Sequence, residues 1–164
     1  MKKIVITGGT GRFGSVLKQC KTKYKILFPT KKQLNILNYE NIKKYLKITK
    51  PNFLVHLAGL SRPMSIHNKN IFKSIDLNII GTANITKACA EKNIKLIYFS
   101  TNYVYPGTKG NYRETDPVLP VNNYAWSKLG GEASVILYNN SLILRLSMTE
   151  KPFVHKKAFS NVKT

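Results

Sequence analysis

Acidic side chains are scarce in this chain: seven Asp and Glu stand against 27 Lys and Arg in 164 residues, a formal net charge of +20. Such an imbalance points first to a polyanionic partner. The basic residues are nevertheless dispersed, at Lys18, Lys21, Lys23 and Lys25, at Lys43, Lys44, Lys47 and Lys50, and at Lys87, Lys92 and Lys95. With no arginine-rich stripe or basic tail, the charge reads as a compositional bias. It makes surfaces adhesive to polyanions in a salt-sensitive way without selecting a nucleic acid. Cysteine is rarer still. Cys20 and Cys89 lie far apart in apolar helical patterns, without the paired spacing of a metal or redox motif, and are expected to be buried thiols in a reducing, cytoplasmic setting. His56, His67 and His155 share no ligand spacing, so no metal is expected. No apolar run reaches membrane-spanning length. The run behind Met1-Lys2-Lys3 is interrupted by Thr7 and glycine too early for a secretory signal. No internal repeat is evident, and the length suits one ordinary domain rather than two substantial lobes.

What the chain does have is strand and helix in alternation. Apolar runs recur at Ile4-Val5-Ile6, at 24–28, at Phe53-Leu54-Val55, at 96–99 and at Leu142-Ile143-Leu144. The spacing predicts helices over 12–23, 39–49 (ended by Pro51), 70–91 and 122–138, the last begun by Asn122 or Asn123 and carrying Trp126. Residues 106–120, rich in glycine, proline and polar side chains, read as a surface loop. Near-continuous apolar strands between helices predict an α/β fold, a Rossmann-type doubly wound parallel sheet with helices on both faces.

Thr7-Gly8-Gly9-Thr10-Gly11-Arg12-Phe13-Gly14 follows the first strand and opens the first helix. Gly8 allows the tight turn, Gly11 lets backbone approach a pyrophosphate, and Gly14 lets the helix pack closely. Amide N–H groups at the helix start add an anion site. A dinucleotide is therefore the expected ligand, with Gly8, Gly11, Arg12, Phe13 and Gly14 against it. Farther on, Tyr124-Ala125-Trp126-Ser127-Lys128 puts a phenol and an ammonium on one helix face. A nearby cation favours phenolate and brings proton transfer within reach near neutral pH. Ser100, Thr101 and Tyr103 supply hydroxyls at the carboxyl end of a buried strand, where open parallel sheets bind ligands.

In this order the motifs resemble the extended short-chain dehydrogenase/reductase family, and within it the dTDP-4-dehydrorhamnose reductases, over about residues 1–148. The resemblance rests on the glycine fingerprint, His56-Leu57-Ala58-Gly59, Asp76-Leu77-Asn78, Ser100-Thr101-Asn102-Tyr103-Val104, Glu114-Thr115-Asp116-Pro117, Tyr124 with Lys128, and Lys128-Leu129-Gly130-Gly131-Glu132. It implies that Tyr124 is the general acid for carbonyl reduction, and that Lys128 lowers its pKa and holds the nicotinamide ribose. Thr101 would orient the substrate carbonyl, Asn78 would support a proton relay, and Leu57, Ala58 and Gly59 would line the cofactor.

Where the family has Leu-Asp-Ile/Val-x-Asp against adenine, this chain has Leu34-Asn35-Ile36-Leu37-Asn38, and Asn35 retains the capacity to hydrogen-bond the base. The position that carries an acid for the ribose hydroxyl of NAD holds Thr30-Lys31-Lys32 instead. That favours NADP(H) modestly over NAD(H), with Lys31, Lys32 or Arg12 neutralising the added phosphate. The expected activity is reduction of the keto group of a nucleotide-activated deoxysugar. The alternatives are a nucleotide-sugar epimerase or dehydratase, which retains its cofactor through turnover, and a non-catalytic dinucleotide-binding module. Residues 149–164 read as a short tail at the start of a substrate-binding lobe that the chain otherwise lacks. The two long helices, where extended relatives dimerise, make a homodimer the expected assembly.

Overall fold

Each of the five apolar runs becomes a strand in the computed structural model, which describes residues 1–147. β1 (Lys3–Thr7), β2 (Lys25–Leu27), β3 (Phe53–His56), β4 (Lys95–Thr101) and β5 (Ser141–Leu146) form one parallel sheet in the order β2-β1-β3-β4-β5. The chain moves outward from β1 to β2 and then crosses to β3 on the other side, so the order reverses between β1 and β3. Open parallel sheets bind their ligands at the carboxyl ends of the strands beside such a reversal.

Helices α2 (Tyr39–Thr49), α5 (Gly81–Glu91) and α6 (Asn123–Val135) contribute to the main core. Val5, Leu54, Leu96 and Tyr98 from the strands meet Ile42, Leu46, Ile85, Ala88, Cys89 and Val135 from these helices. Helix α2 has the expected bounds. The Asn38 side chain accepts from Asn41 N–H at 2.9 Å to start it, and Lys50, left-handed at φ 45°, ends it. Asn122 caps α6 by accepting from Ala125 N–H at 2.9 Å. That helix stops at Val135 rather than Tyr138, and the Tyr138 phenol instead donates to the Ile94 carbonyl at 3.0 Å.

The period of two along β4 shows which helix covers which face. Leu96, Tyr98 and Ser100 are buried, and Tyr98 lies under Lys128 of α6. Phe99, pointing the other way, meets Phe13 of α1 (Arg12–Leu17) with ring centroids 5.3 Å apart. The sheet thus carries helices on both faces, unequally: Phe53, Val55, Ile97 and Phe99 on the α1 side are only part-buried.

Helix α1 is shorter than the predicted 12–23. After Leu17 the chain turns out through Gln19 N–H to Val16 O at 3.0 Å and Cys20 N–H to Leu17 O at 3.2 Å. Lys18, Gln19, Lys21, Thr22 and Lys23 offer the sheet no apolar stripe, so nothing holds a longer helix down. Cys20 is consequently exposed, not buried as expected, whereas Cys89 is buried and its thiol pKa is pushed up to about 12 by desolvation.

The predicted helix over 70–91 is not uniform. α3 (Ile66–Lys69) precedes it, α4 (Ile71–Ser74) begins it under an Asn70 cap, and a π-helical turn at Ile75–Ile80 leads into α5. No helix among the described residues is long and apolar enough to cross a membrane. The expected tail 149–164, with His155, lies outside the described residues.

Candidate active site

The glycine turn sits where β1 meets the loop after β3. Gly8 has φ 71°, and a Cβ there would lie 2.6 Å from the Ala58 backbone nitrogen, so only glycine permits the approach. A Cβ on Gly14 would lie 2.5 Å from the Gly9 Cα, so α1 packs against the turn itself. Gly11 closes the turn by donating to the Gly8 carbonyl at 2.9 Å and carries no side chain into the crevice. Phe13, expected at the cofactor, is engaged in packing on Phe99, while Arg12 is exposed at the start of α1.

A chain of hydrogen bonds ties this turn to the π turn, and its direction follows from counting protons. The Thr82 hydroxyl donates to the Asn78 carbonyl at 2.8 Å, so at 3.2 Å from His56 Nε2 it can only accept. His56 Nε2 therefore carries the proton, and Nδ1 accepts from the Thr7 hydroxyl at 2.7 Å, which in turn accepts from Ala58 N–H at 3.2 Å. Burial, and secondarily the charge of Lys128, hold the His56 pKa down at about 3, so this imidazole stays neutral.

Asn78, expected in a proton relay, is 1 % exposed, and its side chain has a structural task. Its Oδ1 accepts from Leu60 N–H at 2.7 Å, and its Nδ2 donates to the Leu60 carbonyl and to Ser127 Oγ, both at 2.8 Å. Both amide hydrogens are engaged in these bonds. The π turn directs this side chain at both the loop after β3 and α6, joining the two.

Tyr124 occupies the first turn of α6, half-buried, with its ring 5.2 Å from that of His67 and edge-on to Tyr103 at 6.5 Å. Desolvation raises its pKa, the Thr101 hydroxyl facing the phenol opposes that rise, Tyr103 adds to it and Arg62 reduces it. The phenol therefore stays protonated near neutrality. The expected lowering by Lys128 is not seen, because the lysine is directed elsewhere. Its Nζ lies 4.1 Å from the centroid of the Tyr98 ring, within a residue 8 % exposed. Burial brings the Lys128 pKa down to about 7, against an opposing pull from Glu132. Thr101, 5 % exposed, ends β4 beside the phenol.

Beyond the end of β2, Lys31 and Asn35 come together as expected. With Lys32, Asn38 and Asn41 they line an open depression of about 560 Å³. Part of Asn35 is occupied: its Oδ1 accepts from Leu37 N–H at 3.1 Å and its backbone N–H donates to Asn41 Oδ1 at 2.7 Å. Leu57 and Ala58 are half-buried beneath the glycine turn, and Gly59 is exposed with a would-be Cβ 2.8 Å from Asn78 Oδ1.

Sequence reasoning gave no role to Tyr98, Ser127 or the Glu132–Arg145 pair. Only Glu132 left a trace, four residues after Lys128 on the same helical face. Tyr98 and Arg145 come from strands whose neighbours are not legible in a local pattern.

The chain matches the family model described as RmlD substrate binding domain over residues 1–154. It is 34% identical over 148 residues to methionine adenosyltransferase 2 subunit beta of Xenopus tropicalis, covering 85% of this chain and 44% of that protein. It is 29% identical over 154 residues to dTDP-4-dehydrorhamnose reductase of Aggregatibacter actinomycetemcomitans, covering 91% and 52%. The crystal structure of dTDP-4-dehydrorhamnose reductase from Bacillus anthracis in complex with NADP superposes with a TM-score of 0.81 at 29% identity, over 88% of this chain and 53% of that one. The chain thus spans about half the length of these relatives. The parallel sheet with its reversal, the glycine turn seated on Ala58 and the match over nearly the whole chain agree: the chain belongs to the RmlD substrate binding domain family.

Proposed function

We propose that this chain supplies the dinucleotide-binding and proton-donating half of an NADP(H)-dependent reductase acting on the keto group of a nucleotide-activated deoxysugar. The observation that carries the reading is the placement of the half-buried phenol of Tyr124 against Thr101 at the carboxyl end of β4. The residues present fit a dinucleotide. The Gly8 turn is pressed against Ala58 and is bare of side chains at Gly11, and Lys31 and Lys32 provide cations for a 2′-phosphate at the other end. A nicotinamide dinucleotide bound there supplies the hydride. Thr101 holds the substrate carbonyl, and Tyr124, kept protonated by burial, donates to the forming alkoxide. Lys128, as ammonium, holds a ribose hydroxyl. A cytoplasmic homodimer through the outward faces of α4, the π turn and α6 accords with Phe72 and Trp126 standing 76% and 53% exposed there.

The test is NADPH oxidation by the full-length protein with nucleotide 4-keto-sugars. Tyr124→Phe should lower turnover by about 10²–10⁴-fold while NADPH affinity stays within a factor of a few. Unchanged turnover removes the assigned acid, and turnover without net NADPH consumption selects the epimerase or dehydratase reading.

A second reading is a dinucleotide-binding subunit without turnover of its own. It is favoured by the 34% identity to a protein named as a subunit, and by the placement of Lys128 over Tyr98 rather than beside Tyr124. NADPH binding with no oxidation by any nucleotide sugar supports it.

A further inference from the structure

Glu132 is a buried acid for which the chemistry above has no use. It is 3 % exposed and lies four residues after Lys128 on α6, on the same face. Such a pair would ordinarily meet as an ion pair. Here Arg145 of β5 takes both carboxylate oxygens instead: Nε donates at 3.2 Å to Oε1 and at 3.1 Å to Oε2, and Nη2 donates at 2.8 Å to Oε2. Arg145 Nη1 donates to the Tyr105 phenol oxygen at 2.8 Å and to the Glu114 carbonyl at 3.4 Å. The Tyr105 hydroxyl donates to the Arg113 carbonyl at 3.0 Å, and its ring stacks on Tyr112 at 4.7 Å. One guanidinium therefore joins β5, α6 and the loop 105–116. The titratable groups around Lys128 are Tyr98 of β4 beneath it, His56 of β3, Tyr124 one turn earlier and Glu132 one turn later, with Arg145 behind Glu132.

We propose that Glu132 and Arg145 are positioning residues for Lys128, the guanidinium deciding how much of the carboxylate's negative field reaches the ammonium one turn away. The inference rests on Lys128 being the site lysine. A bidentate pair is nearly neutral viewed from outside, and in a site shielded from water the remainder matters. Removing the charge of Arg145 leaves a bare carboxylate beside Lys128 and favours ammonium. Neutralising Glu132 while keeping Arg145 leaves an unbalanced cation and favours the free amine. The two substitutions therefore act in opposite directions on Lys128, whereas a merely structural ion pair would lose stability either way and leave the lysine's titration where it was. Because Arg145 is also held by Tyr105 and Glu114, the arrangement of the loop 105–116 reaches the lysine through the same pair.

The test follows the Lys128 Cε resonance through a pH titration of the ligand-free protein, with Lys128→Met identifying the signal. The wild type should titrate near pH 7. Glu132→Gln should move the midpoint down and Arg145→Met up, each by about one pH unit or more, with Arg145→Lys close to wild type. Arg145→Met leaves a buried carboxylate unpaired and is the variant at risk of not folding. Glu132→Gln keeps one of the two acceptors for Arg145, whose side chain is 21% exposed and can turn its remaining donors to water; it decides the matter alone, since a wild-type midpoint in folded Glu132→Gln overturns the proposal. The second measurement is calorimetry with NADPH at pH 8 in two buffers of different ionisation enthalpy. Proton uptake on binding should be present in wild type and reduced in Arg145→Met, and equal uptake in the two proteins counts against the inference. If the Lys128 midpoints move as stated while NADPH gives no heat at all, the positioning role stands and the dinucleotide reading falls.

Discussion

The glycine turn and α6 belong to the same proposed site and are built of different materials, the one a wall of backbone and the other a wall of side chains. Between Gly8 and Gly14 the wall is backbone, and its geometry depends on what is missing: a Cβ at Gly8 has nowhere to go. Along α6 the wall is made of side chains, the half-buried Tyr124 and the buried Ser127, Lys128 and Glu132, each tied to another element. A backbone wall tolerates no added atom but has little charge to tune. A side-chain wall tolerates conservative change in shape yet stores its function in protonation states. The hydrogen-bond chain from Ala58 through His56 to Asn78 joins the two.

The largest effect should come from the backbone wall. Gly8→Val places a β-branched residue at φ 71° with its Cβ overlapping Ala58, and should abolish NADPH binding and cost about 4 kcal/mol or more of stability. Calorimetry and urea unfolding check this, and a folded variant that binds normally would erase the distinction between the walls. Next is the joint: Asn78→Ala strands the Leu60 amide and carbonyl and should cost about 3 kcal/mol in urea unfolding, with slower turnover as α6 loosens.

Lys128→Met should have the opposite sign. The folded-state pKa of Lys128, about 7, lies below the ordinary lysine value of 10.5, so the unfolded chain holds the extra proton between those values. The burial cost is therefore full below about pH 7 and relieved as pH rises toward the upper value. The methionine variant should gain about 2–3 kcal/mol at pH 6 and little at pH 10 while losing dinucleotide affinity. Near neutral pH the smallest effect is at His56, neutral in the fold with its pKa at about 3 against 6.5 unperturbed. Stability should fall as pH drops below about 6.5, by up to about 1.4 kcal/mol per pH unit from this group. His56→Gln should flatten that slope in denaturant titrations at successive pH values.

Much of the fold was legible in the sequence because its signals are local. Apolar runs at 4–6 and 53–55, the Asn122 cap and the glycine fingerprint all report neighbours within a few residues. Where the reading missed, a distant partner or its absence had decided. α1 ended early because nothing apolar in 18–23 met the sheet, which also exposed Cys20. The bonds of the Asn78 amide to Leu60 and Ser127 were likewise not legible, since both partners lie far along the chain. Tyr124, Lys128 and Thr101 were singled out by motif, whereas the direction of the lysine was not legible, since Tyr98 beneath it comes from another strand.

The order of strands and helices, the bare glycine turn and the placing of phenol and amine on one face of α6 were determined by the sequence alone, through periodicities of two and 3.6 residues and the steric demand of a positive φ. Only the tertiary structure decided the charge states of these groups. Burial and the partner at the far end of a contact set protonation, and the pairing of Arg145 with Glu132, the stacking of His56 near Tyr98 and the placement of Lys128 over Tyr98 bring together residues from strands and helices that no local pattern connects.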